Sequence, residues 1–160
     1  MGTTVLDRIR SLLSETGVPF REIEHQPTFT SEESAAARGE ELNVGAKAIL
    51  MKTDEVYRLF VLPADCKVDS SAVKRKLGVK KIRFASREEL LELTGLVPGC
   101  VPPFGAPVLD FELFGDSAIG GLQNKVAFNA GSLTVSIVMA ASDWERVAKP
   151  CRFAFAKKSE

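Results

Sequence analysis

The segment that most restricts what this chain can fold into is Gly95-Leu-Val-Pro-Gly-Cys-Val-Pro-Pro-Phe-Gly105. Its glycines and prolines exclude a helix and break any regular strand. Proline fixes φ and removes an N–H, and glycine reaches φ > 0 and lets another group approach the backbone closely. The elements on either side must therefore be joined by a stiff loop. Leu96, Val97, Val101 and Phe104 are apolar, which a solvent-exposed linker would not need. Such a loop suits the rigid wall of a binding site or a plain structural crossover, and spacing leaves both open.

The rest of the chain is punctuated on either side of that loop. Val5, Ile9, Leu12 and Leu13 recur at helical spacing, with Gly17 and Pro19 to end the helix. Phe20 to Glu24 alternates as a short strand. Thr30-Ser-Glu-Glu33 is a capping box opening a compact Ala-rich helix that closes at Gly39. Ala46 to Thr53 and Val56 to Pro63 read as paired strands around Asp54-Glu55. Asp69-Ser70 starts a helix through Leu77, Lys81 to Phe84 is a short strand, and Ser86-Arg-Glu-Glu89 is a second capping box. Beyond the loop, Val108 to Phe114 and Lys125 to Phe128 are expected as strands, with Gly115, Gly120 and Gly121 in the turn between them. Leu133 to Met139 alternates as a strand with one buried face, and Ser142-Asp-Trp-Glu145 is a third capping box for a helix that Pro150 terminates. Strands and short helices interleaved with hairpins predict an α+β fold.

A chain of 160 residues with 45% hydrophobic and 26% charged residues suits a single domain over 1–160 whose core stands without staples. There is no repeat, low-complexity segment or linker. Formal net charge is zero, so nothing global draws the chain onto nucleic acid or an anionic membrane, and any such contact must use a local patch. Cys66, Cys100 and Cys151 are odd in number and far apart, which reads as reduced thiols and a cytoplasmic protein. Met1-Gly2 prompts a myristoylation check, but Leu6 stands where Ser or Thr is required. No apolar run approaches a membrane span, so no membrane contact is expected.

Several chemistries lack their residues. One histidine and three scattered cysteines give no zinc-ligand cluster, and there is no phosphate-binding glycine loop, so no metal or cofactor is expected. A Ser-His-Asp triad has only His25 to use, and its place beside Pro27 at a strand end argues against it. Lys47 stands out in Gly45-Ala-Lys-Ala-Ile-Leu-Met-Lys52. It either snorkels from a sheet edge or points an ammonium into a cleft. Phe128-Asn-Ala-Gly-Ser132 is either a hairpin turn or a source of N–H donors and an Asn amide. Lys74, Arg75, Lys76, Lys80, Lys81 and Arg83 form a local basic segment, either a solvated face or a phosphate-backbone contact.

Four segments together resemble the YbaK/prolyl-tRNA synthetase-associated domain family of aminoacyl-tRNA editing domains. They are Thr30 to Gly39, Gly45-Ala-Lys47 with its apolar strand, Gly95 to Gly105, and Phe128 to Ser132, and the likeness runs roughly from Leu6 to Val147. The resemblance implies a curved, barrel-like mixed sheet flanked by short helices. It also implies a trans-acting hydrolase that removes a small mischarged amino acid, of the alanine or cysteine class, from the 3′ end of tRNA, expected to be tRNA-Pro. A transient contact with an aminoacyl-tRNA synthetase goes with it. That family lacks a protein nucleophile, and a terminal ribose hydroxyl is thought to assist. On this basis Lys47 and Gly99 are the catalytic candidates. Thr30, Gly95, Pro102, Phe104 and Gly105, with Asn129, Gly131 and Ser132 at the late turn, are the substrate-binding ones. Lys74, Lys76, Lys80, Lys81 and Arg83 are the nucleic-acid candidates. A non-catalytic module that uses the same pocket to bind a tRNA end, a nucleotide or a partner protein is the alternative.

Overall fold

The computed structural model describes residues 4–159; the Met1-Gly2 dipeptide lies outside them. Helix α1 (Val5–Thr16) turns Val5, Ile9 and Leu13 into the core, and Gly17 ends it in the left-handed conformation at φ 70°. Strand β1 (Phe20–Glu24) follows, then α2 (Ser31–Arg38). Thr30 and Glu33 close the expected reciprocal capping box on α2, and Gly39 ends it. A 3₁₀ turn (Leu42–Val44) leads into β2 (Ala46–Thr53), which pairs antiparallel with β3 (Val56–Pro63) along its full length.

The second half adds β4 (Cys66–Val68), α3 (Ser70–Leu77), β5 (Ile82–Phe84) and α4 (Arg87–Thr94) before the loop. After it come β6 (Leu113–Asp116), β7 (Lys125–Asn129), β8 (Val135–Ala140), α5 (Ala141–Ala148), β9 (Cys151–Phe153) and β10 (Ala156–Lys158). Three sheets result, ordered β5-β2-β3-β6-β9, β1-β8-β7 and β10-β4. Pairings β3–β6 and β6–β9 are parallel and the other strand pairings antiparallel, so the expected mixed sheet is present. The sheets do not close into a barrel. An isolated parallel bridge, Gly45 to Ala127, joins the residue just before β2 to β7.

Alternation along β2 sorts its side chains between two cores. Ala46, Ala48 and Leu50 meet the larger one, with Ile9, Leu13, Phe104, Phe128 and Trp144. Ile49 and Met51 meet a smaller one built on Phe60, Phe114 and Phe155. Lys47 has the parity of Ile49 and Met51, so it leaves the sheet on that second side.

Four expectations need correction. The strand expected over Val108 to Phe114 begins only at Leu113. Upstream, the carbonyl of Gly105 accepts from Val108 and Leu109 N–H and that of Leu109 from Phe111 N–H, so the backbone is spent on local turns. Gly115 is no turn residue: it lies inside β6, where a Cβ would sit 3.0 Å from Trp144. The third capping box does not form, because α5 begins at Ala141 and takes no side-chain cap from Ala140. Asn124 caps it from a distant loop instead, its carbonyl accepting from Ala141 N–H and its Oδ1 from Ser142 N–H. Finally, β8 is buried on both faces through Ser136 to Met139, and Ser136 is fully enclosed. Strands β4, β9 and β10 have no counterpart in the patterning, being too short for alternation to register.

Candidate active site

A cleft of about 220 Å³ opens where the two larger sheets meet. Its walls are the start of α2 (Thr28 to Ser34, with Arg38), the first half of β2 (Gly45 to Ile49), Ala64, Gly99 and Val101 of the glycine–proline loop, and Ala127 and Asn129 of β7. Strand β5 covers only Met51 to Thr53, so among the described residues β2 has no strand partner along its first half on the side away from β3. Gly45 lets this corner close: a Cβ there would sit 3.0 Å from Ala64 and 3.5 Å from the Arg38 guanidinium.

Lys47 is half-buried and lines the cleft. Burial pushes its ammonium below the ordinary lysine value, against a weaker upward pull from Cys66, Asp65 and Glu32. No hydrogen bond or ion pair among the described residues ties it down. A partly desolvated, uncommitted cation is suited to meeting negative charge.

Behind it lies a polar cluster that joins the candidate Asn129, which also lines the cleft, to Arg38 and Ser136, which sequence reasoning did not find. Arg38 is only 8% exposed, and desolvation brings its guanidinium down to about 10. Its Nε donates to Ser136 Oγ (3.0 Å) and its Nη2 to Asn129 Oδ1 (3.1 Å). Ser136 Oγ also lies 3.1 Å from Asn129 Oδ1 and 2.8 Å from His25 Nε2, and His25 Nδ1 is 2.8 Å from the carbonyl of Gln26. Asn129 then donates from Nδ2 to the Gly99 carbonyl at 2.7 Å. The Asn129 amide is thus committed on both ends and braces the loop. Arg38 reads from sequence as an ordinary last-turn arginine, and the only available signal was its place in the early helix.

The glycine–proline loop reaches the cleft at Gly99 and Val101; Leu96, Cys100 and Pro102 to Gly105 are buried, while Gly95 and Pro98 are exposed. Phe104 is buried against Phe128, ring centroids 5.4 Å apart at 74°, and each such burial is worth about 1.5–3 kcal/mol. Trp144 Nε1 donates to the Pro103 carbonyl at 2.8 Å. Gly105 is packed on the Phe111 carbonyl, 2.8 Å from where a Cβ would be. Gly95 is the left-handed cap of α4, and Pro102 is buried beside the core residues. These four do not line the cleft. Nor do two residues of the late turn. Gly131, at φ 76°, abuts Val5 of α1, and Ser132 Oγ accepts from Thr134 N–H. Thr30 lines the cleft while capping α2.

The basic segment lies apart. Lys47 and Lys52 are separated by roughly 17 Å along β2 at the usual strand rise, and Lys52, Lys74, Lys80, Lys81 and Arg83 border a second, shallower depression together with Asp54 and Glu55. Arg83 is held by Glu89 through two bonds of 2.7 and 2.9 Å, and that carboxylate also accepts from Tyr57. Lys76 lies away from the depression, its Nζ 5.8 Å from the Phe153 ring centre.

The cleft offers no activated nucleophile among the described residues. Thr28 and Ser34 hydroxyls bond each other at 2.8 Å, and burial raises the Cys100 thiol. Among the described residues no group of three or more His, Cys, Asp or Glu is placed to hold a metal, and no described helix is long and apolar enough to cross a membrane.

The fold has counterparts of known structure. A crystal structure of a candidate trans-editing enzyme for prolyl-tRNA synthetase superposes with a TM-score of 0.82 at 22% identity, covering 99% of this chain and 100% of that one. The sequence profile of the aminoacyl-tRNA editing domain matches residues 25–147, and the chain belongs to that family. It is 34% identical to the multifunctional Ser/Thr-tRNA deacylase ProXp-y of Escherichia coli (strain K12), over 93% of this chain and 91% of that protein. Against the prolyl-tRNA editing protein ProX of Acetoanaerobium sticklandii the identity is 27%, over 86% of each.

Proposed function

We propose that this chain is a trans-acting aminoacyl-tRNA deacylase whose substrate carries a small amino acid. The observation that carries the reading is Lys47, an uncommitted, half-buried cation in the cleft that Gly99 also lines. Water, assisted by a hydroxyl of the substrate's own ribose, attacks the ester carbon and gives up a proton that later passes to the leaving ribose oxygen, and negative charge develops on the carbonyl oxygen. The Lys47 ammonium stabilises that charge in a site partly closed to solvent, where it is worth more than in water. The carbon–oxygen bond to the ribose then breaks, and the leaving oxygen takes a proton. Asn129, held by Arg38 and Ser136, fixes the Gly99 segment so that this geometry is set before substrate arrives.

Ala46, Ala48, Ala64 and Ala127 leave room for a small side chain. Alanine and cysteine fit that room. Serine and threonine fit it too, and the named activity of the Escherichia coli relative favours them. An apolar wall separates such neighbours by only about 1–3 kcal/mol per methylene. The transfer RNA is proposed to be tRNA-Pro or a tRNA for one of those amino acids.

The test is a deacylation time course on tRNAs charged with alanine, cysteine, serine, threonine or proline, with wild type and Lys47→Ala side by side. The expected result is turnover of at least one small ester, reduced 100-fold or more in the variant (about 3 kcal/mol, the scale of losing one oxyanion donor). Saturable binding with no ester turnover would instead support the non-catalytic module.

A further inference from the structure

We infer that Phe29 is a stacking platform for the base of the substrate's 3′-terminal nucleoside, a purine subsite on the rim of the cleft; the inference rests on the deacylase reading. Phe29 lines the cleft with Lys47, yet it is 75% exposed. It belongs to none of the hydrophobic clusters and makes no ring contact among the described residues. An apolar residue just before a helix cap ordinarily packs on the fourth residue of the helix. Here that residue is Ser34, buried and turned to Thr28. The ring therefore has no folding role that accounts for its position.

Its backbone is nonetheless fixed. Phe29 N–H donates to Glu33 Oε1 at 3.0 Å, within the same capping box that anchors Thr30, and Thr28 N–H donates to the Leu133 carbonyl at 3.2 Å. A large flat apolar surface held out to solvent beside a cation is a site for a flat ligand with negative or polar groups attached.

Volume selects which part of the substrate reaches it. The cleft, at about 220 Å³, is smaller than the roughly 300–1,000 Å³ of sites that enclose whole drug-sized ligands. The aminoacyl ester fits inside beside Lys47, and the nucleoside must extend over the rim. Phe29 and the half-buried Ile49 are the apolar groups there. Stacking on an aromatic side chain is worth roughly 5- to 150-fold in affinity per base, and the larger purine face gains more than a pyrimidine.

The experiment has two arms. In the first, KM and kcat for the best mischarged tRNA are measured for wild type, Phe29→Ala, Phe29→Leu and Phe29→Tyr. Stacking predicts that Ala and Leu raise KM about tenfold or more with a much smaller loss in kcat, and that Tyr restores wild-type values. In the second, adenosine 5′-monophosphate and uridine 5′-monophosphate are titrated by NMR shift changes at the cleft. The adenosine compound binds more tightly in wild type, and the preference disappears in Phe29→Ala. An unchanged KM in Phe29→Ala, or Leu performing as well as Tyr, overturns the subsite. Should wild type turn over no ester, the deacylase reading fails and the nucleotide arm alone judges Phe29: no adenosine preference, or one that survives Phe29→Ala, overturns it.

Discussion

At Lys47 the proposed catalytic role and stability oppose each other. Folding lowers its affinity for a proton, so the charged form is disfavoured in the native state relative to the unfolded chain. The resulting penalty is fully present below the folded value and is relieved as pH rises from there toward the unfolded one, because over that interval the unfolded chain binds more protons. Lys47→Met is expected to raise the melting temperature at neutral pH while abolishing deacylation, and the gain should shrink as pH approaches the ordinary lysine range. Thermal melts across a pH series check this; a drop in melting temperature at pH 7 would contradict it. Asn129 behaves in the opposite way. Asn129→Ala removes the brace on Gly99 and leaves the buried Arg38 short of an acceptor, a loss of about 1–3 kcal/mol. Chemical denaturation should show that loss, and kcat should fall with it.

At the scale of elements, local signals were reliable where they were self-contained. The capping boxes at Thr30 and Ser86 form as their spacing dictates, and Gly17, Gly39, Gly78 and Gly95 end their helices in the left-handed conformation. Ser142-Asp-Trp-Glu145 carries the same pattern and does not use it, because Asn124 reaches in from the turn before β7. That substitution of a tertiary cap for a local one gives a test: Asn124→Ala should cost about 1 kcal/mol, the usual worth of a cap, whereas Ser142→Ala should cost much less. Equal losses on denaturation would show the distant cap to be unimportant. The segment from Val108 to Phe111 failed as a strand for a related reason, since apolar residues also line a coiled turn packed on a core.

For the whole molecule, neutrality conceals an uneven distribution of charge. The cationic cleft and the basic depression around Lys74, Lys80 and Lys81 lie near opposite ends of β2. We propose that a tRNA end seated at Lys47 has its backbone within reach of that depression. Lys80 and Lys81 are the better placed contacts, because Arg83 is committed to Glu89 and Lys76 to Phe153. Lys80→Glu with Lys81→Glu should weaken tRNA binding and reduce the slope of log K against log salt by about one to two. Binding measured at several salt concentrations decides it, and an unchanged slope would remove the depression from the interface.

The sequence alone determined what depends on near neighbours: helix ends, the β2–β3 hairpin and the α+β class. Those follow from backbone sterics, capping and alternation, which act over a few residues. Only the tertiary structure decided which of the candidates named by the family resemblance line the cleft: Lys47, Gly99, Thr30 and Asn129 do. Phe104, Gly105 and Gly131 went to packing, and Arg38, Ser136 and His25 were drawn into one polar cluster from α2, β8 and the end of β1. The physical reason is that a buried polar group must be satisfied by whatever the fold brings beside it, and Arg38 lies 98 residues from Ser136 along the chain.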